Sequence, residues 1–385
     1  MKIGIISMQR VANNGSFLQS YGLKKMIESL GHEVVFIDYK VGRPIMRTTS
    51  DKLRYCFLKV RNWFVHFFMD VQGLQFMLPM QMRNIVGFRK EYTETIVKHL
   101  GVNKKYRYHT PVDVLVIGSD EVFNCTQINP EVGFSPELFG AHANAKKIIS
   151  YAGSFGNTTV PKLKEFGKMD ELRLYFSKFA AVSVRDRNSA EVIKALIGKE
   201  PELNLDPVLM YDFMSNIKRT CAKKDFIIVY AYRARITDEE AKEIVGFARS
   251  QGKKLISVSG EMDFCDEHFK GDPFEGLDLY RNADYVITDT FHGTIFSVIN
   301  RKKFVTLIRE SKGSSYGNQE KLQDLLYRLG LQSRAFSHGD DCLSDKMLPN
   351  IDYDAVFKIL EKEREHAMEY LRGQLNLEGS HCDRK

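Results

Sequence analysis

Short β-branched runs alternate with segments of helical period along nearly the whole chain, and this alternation commits it to a parallel α/β architecture. Residues 2–7 read as a first strand. Residues 16–30 follow as a helix, with Leu23, Met26, Ile27 and Leu30 at i, i+3, i+4, i+7 spacing. Gly31 ends it, and residues 33–38 (EVVFID) form a second strand. Further strands are expected at 112–117 (VDVLVI), 147–151 (KIISY) and 180–184 (AAVSV), and a short helix at 188–197 and residues 203–205 complete the first unit. Residues 210–224 are polar and irregular, and read as a linker. A second series then begins, with strands at 226–230 (FIIVY), 254–258 (KLISV), 284–288 (DYVIT) and 303–308 (KFVTLI) and helices at 238–250 and from about 293. After Pro349 an amphipathic helix runs to about 374, with Val356, Ile359, Leu360, Ala367 and Leu371 on one side, able to pack back across the first domain. The expected organisation is an N-terminal α/β domain at 1–215 carrying an insert at about 41–105, a C-terminal α/β domain at 216–345, and a helix and tail at 346–385. Two open α/β units imply a cleft bounded by the carboxyl ends of strands.

Charge singles out the insert. The 385 residues carry 56 Lys/Arg against 49 Asp/Glu, a surplus too small to mark a nucleic-acid binder. Residues 41–105 alone hold 12 Lys/Arg and 4 Asp/Glu, so the rest of the chain is nearly neutral. Within the insert Leu53, Cys56, Phe57, Val60, Phe64, Phe67 and Phe68 fall at helical spacing, with Arg54, Lys59 and Arg61 among the other positions. Residues 74–82 (LQFMLPMQM) add soft apolar surface. A basic helix with an aromatic-rich face suits an anionic membrane surface. The same pattern also suits a helix packed on the core, or a dimer contact. The six cysteines lie at least 40 residues apart with no CxxC pair, which fits a reducing cytosol and argues against a zinc site. The N-terminus has no secretory pattern and no segment reaches the ~18 apolar residues of a membrane span. A cytoplasmic protein, soluble or peripheral on the membrane's cytoplasmic face, is expected.

Four motifs sit at strand-to-helix junctions. The loop ending Asn13-Asn14-Gly15-Ser16 opens a helix whose N–H groups suit an anion, making Asn14 and Gly15 candidate ligand contacts; helix capping by Asn14 or Ser16 is the plain alternative. It has neither the GxGxxG nor the GxxxxGK[ST] pattern, so nothing supports a dinucleotide fold or a P-loop. Gly118-Ser119-Asp120-Glu121 follows a strand, and Asp120 can orient or deprotonate a sugar hydroxyl, or simply cap a turn. Ser183-Val184-Arg185-Asp186-Arg187 supplies guanidinium forks suited to carboxylate or phosphate, with Arg185 and Arg187 on one face of an extended chain. A surface ion pair with Asp186 or Glu191 is the competing reading. The sharpest element is Asp289-Thr290-Phe291-His292-Gly293-Thr294, where a strand delivers a histidine, then a glycine, then a helix. Histidine suits proton transfer at neutral pH, and a helix N-terminus tends to lower its pKa while attracting an anion. No helical HxxxH or carboxylate cluster offers metal ligands.

Taken together these segments resemble the polysaccharide pyruvyl transferase family. The matching stretches are 13–39 (NNGSFLQSYGLKKMIESLGHEVVFIDY), 112–124 (VDVLVIGSDEVFN), 146–156 (KKIISYAGSFG), 180–189 (AAVSVRDRNS), 205–210 (LDPVLM), 283–299 (ADYVITDTFHGTIFSVI), 303–308 (KFVTLI) and 318–334 (NQEKLQDLLYRLGLQSR). The resemblance is collinear over residues 3–334. Two departures are Glu121-Val122-Phe123, where Gln and Trp are common, and Gln319-Glu320, where a small residue and Arg are common.

The resemblance implies two Rossmann-like domains facing a cleft, GT-B-like, with a C-terminal helix. It also implies transfer of the pyruvyl group of phosphoenolpyruvate to two hydroxyls of a glycan sugar, giving a ketal and phosphate, in surface polysaccharide synthesis. The donor is a substrate and no further cofactor is expected. The acceptor is a glycan or lipid-linked oligosaccharide, which would explain a membrane-seeking insert. Carried over, the site residues are Arg185, to hold a donor anion, and His292, as acid/base or phosphate partner. Asp120 would position the acceptor hydroxyl, and Ser119 would contact substrate. Gly293 and Thr294 would add backbone donors, and Lys312 a further cation. Two other functions stay open on the residues alone: a nucleotide-sugar glycosyltransferase built on the same architecture, and a noncatalytic membrane-associated binding protein.

Overall fold

The computed structural model describes residues 1–46, 48–70, 78–102, 108–232, 235–258, 260–309, 319–339 and 342–376. The chain divides into two units. One comprises Met1–Ala12, Gln19–Pro207 and Ala367–Lys385, the other Asn13–Leu18 and Val208–His366.

The first unit is built on strands β1 (Lys2–Ile6), β2 (Glu33–Phe36), β3 (Val112–Asp120), β4 (Ala145–Gly153), β5 (Ser183–Val184) and β6 (Glu202–Leu203). They pair in parallel in the order β2-β1-β3-β4-β5-β6. Its helices are α1 (Asn14–Ser29), α2 (Thr49–Asp70), α3 (Met80–Leu100), α4 (Val160–Glu165), α5 (Met169–Phe176), α6 (Arg187–Ile197) and α7 (Pro207–Met210), the first turn of α1 and the end of α7 being counted with the second unit. Val114, Leu115, Val116 and Ile117 of β3 are all buried. Such a run without alternation is what a strand covered on both faces requires. The chain passes from β1 out to β2 and then returns to β3 on the other side of β1. The topological switch point of this sheet therefore lies between β1 and β3.

The second unit repeats the scheme with β7 (Phe226–Tyr230), α8 (Asp238–Ser250), β8 (Lys254–Ser257), β9 (Glu267–His268), α9 (Pro273–Asn282), β10 (Tyr285–Thr288), α10 (Phe291–Ile299), β11 (Lys303–Leu307), α11 (Gln319–Arg328), β12 (Ala335–Phe336), α12 (Leu343–Met347) and α13 (Tyr353–Leu375). The parallel order β12-β11-β10-β7-β8-β9 puts its switch point between β7 and β10. Ile227, Val229, Ile287 and Val305 from the three central strands fill its core. From Ala367 onward α13 counts with the first unit, where Tyr370 Oη donates to Ser150 O of β4 at 2.8 Å.

The insert forms the helices α2 and α3, packed on each other. Here the core-packed reading fails. On α2 the buried side chains are Asn62 and Val65, and the apolar stripe read from the sequence points outward: Leu53 is 67% and Phe57 68% exposed. Of the apolar run at 74–82, residues 74–77 lie outside the described residues. Among the described residues no helix is long and apolar enough to cross a membrane.

Candidate functional site

Two polar clusters form, each at the switch point of its own sheet. In the first unit Ser7, just past β1, donates through Oγ to Ser119 O on β3 at 3.0 Å. Asp120 ends β3 with φ at +77°, a left-handed conformation costly for a residue with a Cβ. Its Oδ1 accepts from Arg185 Nη2 at 3.1 Å, while Arg185 Nη1 donates to Asp206 Oδ2 at 2.9 Å. Ser119 Oγ reaches the same Asp206 oxygen at 3.4 Å. Asp120, Arg185 and Asp206 stand at the carboxyl ends of β3, β5 and β6, the edge at which parallel sheets present their ligands.

The Arg185 side chain is only 2% exposed. Burial alone would weaken its charge, but Asp120 and Asp206 more than offset that and hold the guanidinium protonated. Both Nη groups are thus engaged by carboxylates in a cluster with a net charge of one negative. In this arrangement Arg185 bridges Asp120 and Asp206. Asp186 caps α6, accepting from Ser189 N at 2.8 Å, and receives the Ser154 hydroxyl at 2.6 Å. Because the helix starts at once after this cap, Arg187 turns to the exposed surface and does not share a face with Arg185.

In the second unit Asp289 ends β10 and is fully buried, its Oδ1 accepting from Tyr232 N beyond β7 at 3.2 Å. Burial pushes this carboxyl above the ordinary carboxylate range, against the pull of Arg235, the Tyr232 N–H, Arg309 and Lys321. Arg235 Nη1 lies 3.6 Å from Asp289 Oδ2. Arg309, just past β11, forms a two-pronged ion pair with the buried Glu240, with 2.9 Å from Nη2 to Oε2. Two arginines are thus paired with two carboxylates at this switch point, and Lys321 adds its field at Asp289.

His292 lies inside the first turn of α10, which begins at Phe291, two residues earlier than the sequence suggests. Thr290 is the N-cap, its Oγ1 accepting from Gly293 N at 2.9 Å, and Thr294 N donates to Thr290 O at 3.1 Å. The backbone donors expected at Gly293 and Thr294 are thus already engaged in the cap. Gly293 is needed for another reason: a Cβ there would lie 2.1 Å from Thr288 Oγ1. His292 is 8% exposed. A Cβ on Gly15 would lie 2.1 Å from His292 Cγ and Nδ1, so the NNG and FHG motifs, 277 positions apart by number, are in contact. Asn13 rather than Asn14 or Ser16 caps α1, its Oδ1 accepting from Gly15 N at 2.8 Å and Ser16 N at 3.3 Å. Asn14 is left with a buried Oδ1 that has no hydrogen-bond partner among the described residues.

Lys312 lies outside the described residues. Sequence reasoning missed Asp206, Asp289, Arg235 and Arg309 as site residues. Asp206 and Asp289 stand inside quoted motifs, and Arg309 directly follows a predicted strand. The signal for each is a charged residue just past a strand's carboxyl end.

The model of one protein family, described as polysaccharide pyruvyl transferase, matches residues 13–311. No curated protein matches the chain in sequence. Among solved structures the chain is similar to spinosyn rhamnosyltransferase SpnG, at 11% identity over 98% of this chain and 100% of that one, with a TM-score of 0.45. It is also similar to UDP-GlcNAc 2-epimerase of Methanocaldococcus jannaschii, at 11% identity over 97% and 99% with a TM-score of 0.44. A third is the glycotransferase of kitacinnamycin, at 10% identity over 97% and 98% with a TM-score of 0.46.

Proposed function

The chain belongs to the polysaccharide pyruvyl transferase family, and from that premise we propose that it moves the pyruvyl group of phosphoenolpyruvate onto two hydroxyls of a glycan sugar. The observation that supports this reading is the pair of arginines beyond β7 and β11, Arg235 lying 3.6 Å from the buried Asp289 and Arg309 paired with Glu240, with His292 three residues beyond Asp289. Phosphoenolpyruvate brings a carboxylate and a phosphate, and guanidinium forks suit both. We assign the donor to this arginine cluster, and to Asp120 the role of accepting a hydrogen bond from an acceptor hydroxyl.

The chemistry balances with protein side chains alone. Protonation of the donor's methylene carbon leaves an oxocarbenium-like centre at the enol carbon. One sugar hydroxyl adds there, the tetrahedral adduct expels phosphate, and the second hydroxyl closes the ketal. Of the two hydroxyl protons, one balances the proton now on the methyl carbon and the other leaves with phosphate. His292, packed on Gly15, is the residue we assign to move the proton or to meet the phosphate. The acceptor is a surface glycan or its lipid-linked precursor, met at the cytoplasmic face of the membrane. His292→Ala is expected to lower turnover by about 10²–10⁴-fold, with an unchanged circular dichroism spectrum. Wild-type turnover in the folded variant would remove His292 from the mechanism.

A further inference from the structure

The apolar stripe of α2 is turned away from the protein. At 100° per residue, Leu53, Phe57, Val60, Trp63, Phe64 and Phe67 span roughly 120° of the helix circumference. All six are 44% or more exposed. The buried residues of the helix, Asn62 and Val65, lie on the opposite side. Trp63 stacks on Phe67 at 5.8 Å and meets Phe64 edge-on at 5.1 Å, so the aromatic part of the arc is continuous. Arg54, Lys59 and Arg61 are exposed and flank it, Arg54 and Arg61 on one border and Lys59 on the other. Soluble proteins seldom leave so large an apolar face uncovered.

We propose that this face of α2 is a docking surface for an anionic lipid bilayer. The helix would lie in the interfacial plane with the aromatic arc among the acyl boundary and the arginines and lysine among the headgroups. Charge selects this occupant. A second copy of the chain in a twofold contact would oppose the same patch to itself, setting one basic border against another. An anionic leaflet complements both borders at once, and the concentration of positive charge in residues 41–105 of an otherwise nearly neutral chain serves the same end. The inference goes beyond the transferase reading and does not depend on it.

Trp63 is the chain's only tryptophan, so the intact protein reports on its own docking face. Vesicles of phosphatidylcholine with phosphatidylglycerol should shift Trp63 emission to the blue, and brominated acyl chains should quench it. Pure phosphatidylcholine should do neither. Each basic side chain removed should weaken partitioning about fivefold, so Arg54→Gln with Lys59→Gln and Arg61→Gln should cost about two orders of magnitude. Phe57→Ser with Phe64→Ser should abolish the quenching. These positions are exposed, so circular dichroism should not change. Unaltered emission with anionic vesicles would overturn the proposal. So would a blue shift that depends on protein concentration and not on lipid, which would mark a contact between copies. The readout needs neither donor nor acceptor, so its failure is distinct from failure of the proposed reaction.

Discussion

His292 and Gly15 show how much of a site can rest on a missing side chain. The imidazole fills the space that a Cβ on Gly15 would occupy, and the glycine stands at the start of a capped helix, where alanine is otherwise welcome. Gly15→Ala should therefore displace the ring, and a misplacement of about 1 Å costs on the order of 10²-fold in rate. The variant should keep its melting temperature within a few degrees while losing turnover. Normal kinetics in Gly15→Ala would show that the contact places nothing that matters to the reaction. Both residues were legible as motifs in the sequence. Their contact was not, because no local pattern records which distant backbone a histidine ring will meet. Asn14 shows the opposite failure. Its neighbour Asn13 takes the capping role that either asparagine could fill by composition, and only the backbone decides between them.

At the level of elements, the cap of α6 decides the fate of two arginines two positions apart. Read as extended chain, Arg185 and Arg187 belong on one face. Asp186 instead receives Ser189 N and starts the helix at Arg187, so one guanidinium is sealed between Asp120 and Asp206 while the other lies on the surface. Removing one partner from a buried ion cluster costs about 3–5 kcal/mol, whereas exposed positions change stability by about 0.5 kcal/mol or less. Urea unfolding should separate Arg185→Ala from Arg187→Ala by that margin, and equal midpoints would contradict the buried cluster. The helix α2 makes a related point. Its period was plain in the sequence, and the period says that one face is apolar. It does not say whether that face is turned inward, and here the buried side is the narrow one at Asn62 and Val65.

At the scale of the molecule, the two alternating series in the sequence are the two parallel sheets of the structure. Strand order is a property of pairing between distant segments, so the switch points appear only with the fold. Once they do, they explain why Ser119, Asp120, Arg185 and Asp206 converge in one unit, and Asp289, His292, Arg235 and Arg309 in the other. The clusters differ in composition, one with two carboxylates round a single arginine and the other with Arg235 on Asp289 and Arg309 on Glu240. The two guanidinium groups of the second cluster motivate assigning the acidic donor there. The most direct test is phosphate release from phosphoenolpyruvate by the intact protein, with and without a panel of glycan and lipid-linked oligosaccharide acceptors. The account predicts release that requires an acceptor, with a pyruvyl ketal appearing on that glycan by mass. Failure to bind phosphoenolpyruvate, together with transfer from a nucleotide sugar to the same acceptors, would contradict it.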